Sequence, residues 1–363
     1  VPQEGRTLVL SIDSKIQYLA YRELKKAVEA QHAKAGGIVV LDAKSGEVLA
    51  LASLPSYNPN NRTKLNLQRT RNRVITDLFE PGSTLKPFTV AAALEAGVVT
   101  PDSVIETAPG QFNIGNSTIH DAHHEGALTV AQIIQKSSNI GAAKIALALT
   151  SQSLWNIFDR VGFGAMPRSG FPGEVSGKLR SYKTWRPIEQ ATMSYGHGIS
   201  VSLIQLARAY TVFATEGKLQ PLSLLKLDTP PSGSFVISAA TTRAVRSMLE
   251  LAVEPGGTAP RAQILGYRVA GKTGTAHKLE GGSYAGDRDV SSFVGMAPAS
   301  APRLIVAVML DEPSAGLYYG GVVAAPVFSQ VMAGALRILN IPPDEPSNNA
   351  FPPTDFPEIK EEV

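Results

Sequence analysis

The sequence predicts an α+β fold: one antiparallel sheet built from both ends of the chain and flanked by helices, with a mostly helical block inserted between. Three observations carry this. Short β-rich runs near the start ("GGIVVLDAKSGEVLALASLP") and near the end ("VSSFVGMAPAS", "PRLIVAVMLDEP") bracket the chain. Between about residues 80 and 260 the apolar segments recur at helical intervals instead. Helices and strands therefore segregate along the chain rather than alternate.

The first helix is read in "SIDSKIQYLAYRELKKAVEAQHA", where Ile16, Ala20, Leu24 and Ala27/Val28 recur at helical spacing. Ser14 and Gln17 have the spacing of a capping box. The next run is two strands around the turn "AKSG", a hairpin. "SYNPNNRTKLNLQRTRNR" is polar and reads as a loop. Helical periodicity then appears in "TLKPFTVAAALEAG", "LTVAQIIQKSSNIGAAKIALAL", "SLWNIFDRVG", "SLIQLARAYTVFATEG" and "TTRAVRSMLELAV", several of them closed by glycine. After "EPGGTA" the pattern turns to strand, and "APVFSQVMAGALRIL" returns to helix. The expected division is a domain over 5–341, with an α/β part near 5–60 plus 261–341 and a helical part near 61–260. The tail 342–363 holds six prolines and little that could enter a core, so disorder is expected there.

Composition narrows the function. The chain has 363 residues, 44% hydrophobic and 18% charged, enough for a well-buried core. The formal charge is +3; six acids against Lys360 beyond Ile341 make the tail −5 and the rest +8. No Lys/Arg block points to nucleic acid. The absence of cysteine excludes disulfides, thiolate catalysis and Cys-ligated metals. No apolar run approaches the ~18 residues of a membrane span. The chain opens on Val1 rather than Met, so a missing leader or anchor carries no weight.

Three short motifs carry chemistry. In "FEPGSTLKPF" a helix start sets Ser83 and Lys86 three residues apart, on neighbouring ridges with Cβ atoms ~5–6 Å apart. Burial and a second cation lower an amine's pKa, and an amine so tuned can take the serine proton. Free N–H groups at the helix start favour an oxyanion. In "QKSSNIGAAKI", Ser137 and Asn139 flank Ser138 between two helical runs, offering a proton relay and an amide contact. In "AGKTGTA", Lys272 to Thr275 put a cation, two hydroxyls and Gly274 on a strand, which can dock a carboxylate-ended extended peptide. Each motif has decoys, at Ser223/Lys226, at Ser56/Asn58 and Ser347/Asn349, and at Lys44–Gly46. Order and context separate the three from them.

Taken in that order, the trio resembles that of penicillin-binding proteins and class A β-lactamases. Longer stretches, including "AKAGGIVVLDAKSGEVLALASLPSYNPNN", "RNRVITDLFEPGSTLKPF", "SYGHGISVSLIQLARAY" and "YYGGVVAAPVF", resemble class B penicillin-binding proteins of the division-specific peptidoglycan D,D-transpeptidase (penicillin-binding protein 3) type, over about residues 5–341. The resemblance implies the penicillin-binding transpeptidase/β-lactamase-like fold, Ser83 as acylated nucleophile and Lys86 as general base. It further implies Ser137 as proton relay, and Asn139, Lys272, Thr273, Gly274 and Thr275 as substrate contacts. The backbone N–H groups of Ser83 and Thr275 would form the oxyanion hole, and Tyr318 and Tyr319 an aromatic wall. No cofactor is implied. The implied partners are peptidoglycan stem peptides (a D-Ala-D-Ala donor and an amine acceptor), β-lactams, divisome proteins and a septal glycosyltransferase. The implied place is the periplasmic face of the inner membrane, reached through an N-terminal membrane helix outside this chain. One departure is "SVSLIQLA", where Thr-Pro is expected before Leu/Ile-Gln.

Three other readings compete. A serine β-lactamase needs a base for water, and no Glu-x-x-Leu-Asn stretch is present. A non-catalytic β-lactam receptor would acylate without cross-linking. "HDAHHEG" (120–126) has the density of a metal site, yet reads as a loop before a helix. His32 and His277 read as surface residues, and His197 is given no role.

Overall fold

The fold was analysed in a computed structural model, which describes residues 5–61, 63, 66–280 and 283–345, with the backbone alone at 279, 280 and 283–287. The tail beyond residue 345, expected to be disordered, lies outside the described residues.

Five strands form the central sheet: β1 (Ala35–Asp42), β2 (Val48–Leu54), β3 (Ala270–Glu280), β4 (Ser283–Ala297) and β5 (Leu304–Asp311), in the order β2-β1-β5-β4-β3. Every neighbouring pair is antiparallel. The sheet thus draws its strands from residues 35–54 and 270–311, in the α+β arrangement expected. Both faces are covered, which is why β1 and β5 read as continuous apolar runs rather than alternating ones. Alternate residues still go to opposite sides. Val39, Leu41, Ile305, Ala307 and Met309 join a core beneath the helical block. Ile38, Val40, Val306, Val308 and Leu310 join a second core under the two terminal helices.

The helices that matter for the site are α1 (Ser14–Ala30), α2 (Lys86–Glu95), α3 (Val130–Lys136), α4 (Asn139–Leu147), α5 (Leu203–Ala209) and α6 (Ala325–Ile338). α1 buries Ile16, Ala20 and Leu24 in the core that also holds Val331 and Ala335 of α6. Its cap differs from expectation. Asp13, not Ser14, accepts from the N–H groups of Lys15 and Ile16. Gln17 instead pairs with the Leu51 backbone of β2, at 2.8 and 3.0 Å, tying helix to sheet. At the departure near residue 203, Ser202 and Gln205 form a capping box that starts α5. The inserted block also contains short strands between residues 104 and 129, too brief to show a period in sequence.

α2 runs through the first core and is almost wholly buried. Phe88 anchors it, with ring centroids 5.5, 5.4 and 4.9 Å from Phe163, Tyr210 and Phe213. A hydrophobic helix in this position carries whatever sits at its first residue into the protein interior.

Candidate active site

The first correction concerns Ser83. It does not open an α-helix but lies in a 3-10 turn, Gly82–Leu85, and α2 begins at Lys86. In a 3-10 turn residues three apart eclipse, so Ser83 and Lys86 stack more directly than α-helical ridges would allow. Pro87 then falls in the first turn of α2, where its missing N–H costs nothing. The turn is held from outside: Tyr210 donates to the Thr84 carbonyl at 2.7 Å, and Thr84 to the Pro81 carbonyl at 2.7 Å.

Lys86 is fully buried, with 0% exposure. Its Nζ lies 2.8 Å from Ser83 Oγ, 2.7 Å from Asn139 Oδ1 and 3.1 Å from Ser137 Oγ, and also donates to the Ser137 carbonyl. Ser137 ends α3 in the left-handed region, φ 62°, uncommon for a residue with a side chain. That reversal turns its carbonyl and hydroxyl to the lysine. Ser138 then caps α4, accepting from Gly141 N at 2.8 Å.

The turn has an anchor that the motif does not show. Asp121 Oδ2 accepts from Ser138 Oγ at 2.5 Å, and its Oδ1 from the N–H groups of Asn139 at 2.5 Å and Ile140 at 3.0 Å. A carboxylate here meets the positive end of α4. In sequence Asp121 lay in the histidine-rich "HDAHHEG", where it stood only as a possible metal ligand. Among the described residues no group of three or more His, Cys, Asp or Glu is placed to hold a metal ion. The segment is not simply a solvated loop, since His120 ends a strand and Asp121 is engaged.

β3 forms the opposite wall. Lys272 Nζ, also 0% exposed, lies 2.9 Å from Ser137 Oγ and 3.2 Å from Thr273 Oγ1. The Ser137 hydroxyl therefore sits between two buried lysines. Thr273 in turn meets Thr258 at 3.0 Å. β3 is an edge strand, and the 3-10 turn packs against it. A Cβ at Gly274 would fall 2.6 Å from Ser292 Oγ, 2.8 Å from the Pro81 carbonyl and 2.9 Å from Thr84 Cγ2. The glycine is thus needed for close approach of turn to strand. At Gly82 a Cβ would fall 2.9 Å from the Thr275 carbonyl, and its φ of +56° independently favours glycine. These contacts bring the backbones flanking Ser83 and Thr275 together. Thr275 Oγ1 accepts from Gly320 N at 3.1 Å, which sets Tyr318 and Tyr319 beside it. The two tyrosine rings lie 4.5 Å apart at 34° and are half-buried.

Two aromatics near the site lie in the stretch "SYGHGISVSLIQLARAY", where the sequence gives them no role. Lys86 Nζ stands 6.0 Å from the Tyr195 ring centroid, within cation–π range. Tyr195 in turn meets the His197 ring edge-on at 5.2 Å. Burial, then the charges of Lys86 and His277, push the His197 imidazole down to about 4. His277 is not a plain surface residue either. It faces its cross-strand partner Asp289, with Nδ1 2.7 Å from Oδ1.

The chain is similar to known proteins over most of its length. The penicillin binding protein transpeptidase domain family matches residues 36–333. The chain is 48% identical to a probable peptidoglycan D,D-transpeptidase PenA of Neisseria flavescens, covering 96% of this chain and 87% of that one. It is 44% identical to the peptidoglycan D,D-transpeptidase FtsI of Escherichia coli K12, covering 94% of this chain but 58% of the longer relative. The apo structure of the TP domain from Burkholderia pseudomallei penicillin-binding protein 3 superposes with a TM-score of 0.86 at 50% identity, covering 94% of this chain and 99% of that domain. With the family matching most of its length and the three motifs meeting in one buried group, the chain belongs to the penicillin-binding protein transpeptidase domain family.

Proposed function

We propose that this chain is a peptidoglycan D,D-transpeptidase that cross-links stem peptides through an acyl-enzyme on Ser83, and that β-lactams trap it by acylating the same residue. The observation that carries the reading is the lysine amine shared by Ser83, Ser137 and Asn139. A neutral amine has two hydrogens and one lone pair. Donated to Asn139 Oδ1 and the Ser137 carbonyl, those hydrogens leave the lone pair to accept the Ser83 proton. Full burial and the neighbouring Lys272 both favour that neutral form.

In the proposed reaction Ser83 Oγ attacks the carbonyl of the penultimate D-Ala as its proton passes to Lys86. The backbone N–H groups of Ser83 and Thr275 hold the oxyanion, an interaction that typically contributes ~10²–10³ in rate per donor. Ser137, between Lys86 and Lys272, returns the proton to the departing D-Ala amine. An acceptor amine then attacks the ester, gives up a proton along the same path and restores Ser83. Lys272 and Thr273 receive the donor's terminal carboxylate, Asn139 its amide, and the Tyr318–Tyr319 pair flanks the pocket. Gly274 keeps the strand close. In this reading residues 5–60 and 261–341 are the α/β part and 61–260 the helical part, and the site uses side chains of both. No helix among the described residues is long and apolar enough to cross a membrane. Work at the periplasmic face of the inner membrane, with divisome proteins and a septal glycosyltransferase, belongs to the proposal through the family resemblance alone.

The test is covalent labelling. Fluorescent penicillin followed by peptide mass spectrometry should place the adduct on Ser83, and Ser83→Ala should abolish it. Lys86→Ala should lose labelling while keeping the fold. Label on another residue, or undiminished labelling of Ser83→Ala, overturns the reading.

A further inference from the structure

The segment 194–198 lies against the reactive group and is pinned on both sides of Tyr195. Before it, the Ser194 carbonyl accepts from Thr89 Oγ1 of α2 at 2.8 Å. After it, a Cβ at Gly196 would fall 2.2 Å from the Gly82 carbonyl oxygen and 2.4 Å from Gly82 N, so the glycine lets the segment pass directly beside the 3-10 turn. Gly198 N then donates to Glu80 at 2.8 Å. Tyr195 itself is 6% exposed and packs with Ile119, Ile140, Ala143 and Ala191. Ile140 and Ala143 belong to α4, the helix that begins at Asn139. The elements that hold Ser83, Lys86 and Asn139 therefore hold this ring as well.

The ring is presented to the amine. Lys86 Nζ stands over it, 6.0 Å from the centroid, and an aromatic face carries partial negative charge. The inference rests on the function proposed above, in which Lys86 is neutral at rest and becomes an ammonium as it takes the Ser83 proton. Hydroxyl, carbonyl and amide oxygens meet Nζ. They act as dipoles, while Lys272, across the Ser137 hydroxyl, opposes a second positive charge. His197 lies edge-on to Tyr195 at 5.2 Å. It adds no further cation near neutral pH, because burial first, then the charges of Lys86 and His277, push its imidazole down to about 4.

We infer that Tyr195 is a further catalytic residue: its ring face takes up the positive charge that appears on Lys86 as Ser83 attacks. A cation over a buried ring gains more than one over an exposed ring. The gain arises only as the proton moves, which is the condition for an interaction to lower the barrier rather than merely stabilise the resting protein. The atom balance of the step is unchanged. The proton leaves Ser83 Oγ for the Lys86 lone pair, and the ring forms a bond to neither.

The experiment is the pH profile of the second-order acylation constant with benzylpenicillin, beside a thermal unfolding curve that reports folding. A contact that favours the ammonium raises the pH at which Lys86 becomes a base. Tyr195→Leu should therefore move the acid limb of the profile down by about one pH unit. The plateau should fall about three- to tenfold, since the amine is then a weaker base. Loss of bulk alone predicts the opposite sign: water reaching the amine favours the ammonium and moves the limb up. The conservative Tyr195→Phe keeps the face and should restore limb and plateau. If Tyr195→Leu does not fold, pentafluorophenylalanine at position 195 keeps the ring's shape and reverses the charge of its face. It should lower the limb by about one pH unit relative to Tyr195→Phe. Lys272, His197, Glu80, Asp121 and the His277–Asp289 pair also titrate around the amine. They are unaltered in both ring variants, so the difference between those two belongs to the face. A limb that stays or rises, with Leu or with the fluorinated ring, overturns the inference, as does a Tyr195→Phe that behaves like Tyr195→Leu. Absence of a Ser83 adduct in the unaltered protein overturns the proposed function instead, so the two failures are distinguishable.

Discussion

Asp121 offers the sharpest test of how the Ser137–Asn139 turn is held. Its carboxylate accepts three hydrogen bonds from that turn, two of them at 2.5 Å. Bonds to a charged acceptor contribute ~1.5–3 kcal/mol each, less where water can substitute. Asp121 is only part-buried, and Ser138 keeps its cap on Gly141. Asp121→Ala should therefore cost about 3 kcal/mol rather than the full sum. The loss of acylation should be larger than that stability loss suggests. Ser137 and Asn139 touch Lys86 directly, and a misplacement of ~1 Å in a catalytic group costs ~10²-fold. Asp121→Asn keeps an oxygen for the two N–H groups and should lose about tenfold or less. The assay is the second-order acylation constant with benzylpenicillin, split into binding and acylation steps, beside a thermal unfolding curve. The acylation step should carry the defect. If Asp121→Ala acylates within about threefold of the unaltered protein, the carboxylate does not position the turn. If Asn is as damaging as Ala, charge and not acceptor geometry is what matters.

Four further outcomes follow from the same geometry. Gly274→Ala places a methyl against Ser292, Pro81 and Thr84, so β3 must retreat from the 3-10 turn; acylation should fall by at least about 10²-fold, and an unimpaired variant would refute the tight contact. Lys272→Met removes a buried cation while filling its space; labelling should collapse with thermal stability held or raised, and loss of both together would refute it. Tyr210→Phe deletes the hydroxyl bound to the Thr84 carbonyl, a buried bond whose loss should cost about 1–2 kcal/mol in urea unfolding; no change refutes it. His197 stays neutral when folded, to about pH 4, whereas an unfolded imidazole takes a proton near ~6.5. Stability held above that range is therefore lost as pH falls from ~6.5 toward 4. After allowance for partial exposure the protein should lose about 2 kcal/mol more than His197→Gln between pH 7 and 4.5; parallel losses refute it.

How much of this was legible in the sequence depended on the length scale of each signal. The hairpin of β1 and β2 and the late strand β5 announced themselves because both faces are buried, giving near-unbroken apolar runs. The short strands between 104 and 129 did not, since three or four residues define no period. The α1 cap was misread by one residue: Asp13 and Ser14 are both good caps, and the choice is made by Gln17, which bonds to β2 instead. The roles of Asp121, Tyr195 and Tyr210 were out of reach. Asp121 serves a turn 17 positions away, and Tyr210 a carbonyl 126 positions away. No local pattern encodes such pairs.

The decoys show what a motif lacks when its surroundings are wrong. Ser223 and Lys226 have the same spacing as Ser83 and Lys86, yet Lys226 points to solvent and pairs with Glu47 at 3.3 Å, its side chain 57% exposed. Ser223 turns back on its own backbone, donating to the Leu225 carbonyl at 2.8 Å. There the amine is exposed and pairs with a carboxylate rather than with the serine hydroxyl. At Lys86 the helix that follows is almost wholly buried, so folding draws the amine into the interior, where Ser83, Ser137 and Asn139 meet it. Desolvation, which at Lys226 is avoided, is at Lys86 imposed by the burial of Phe88, Val90 and Ala91. Those side chains supply of the order of 1.5–3 kcal/mol each for the larger ones, enough together to hold an uncomfortable amine in place. The reactive spacing is thus common, and in the proposed mechanism the hydrophobic helix attached to it is what makes a serine and a lysine into a nucleophile and its base.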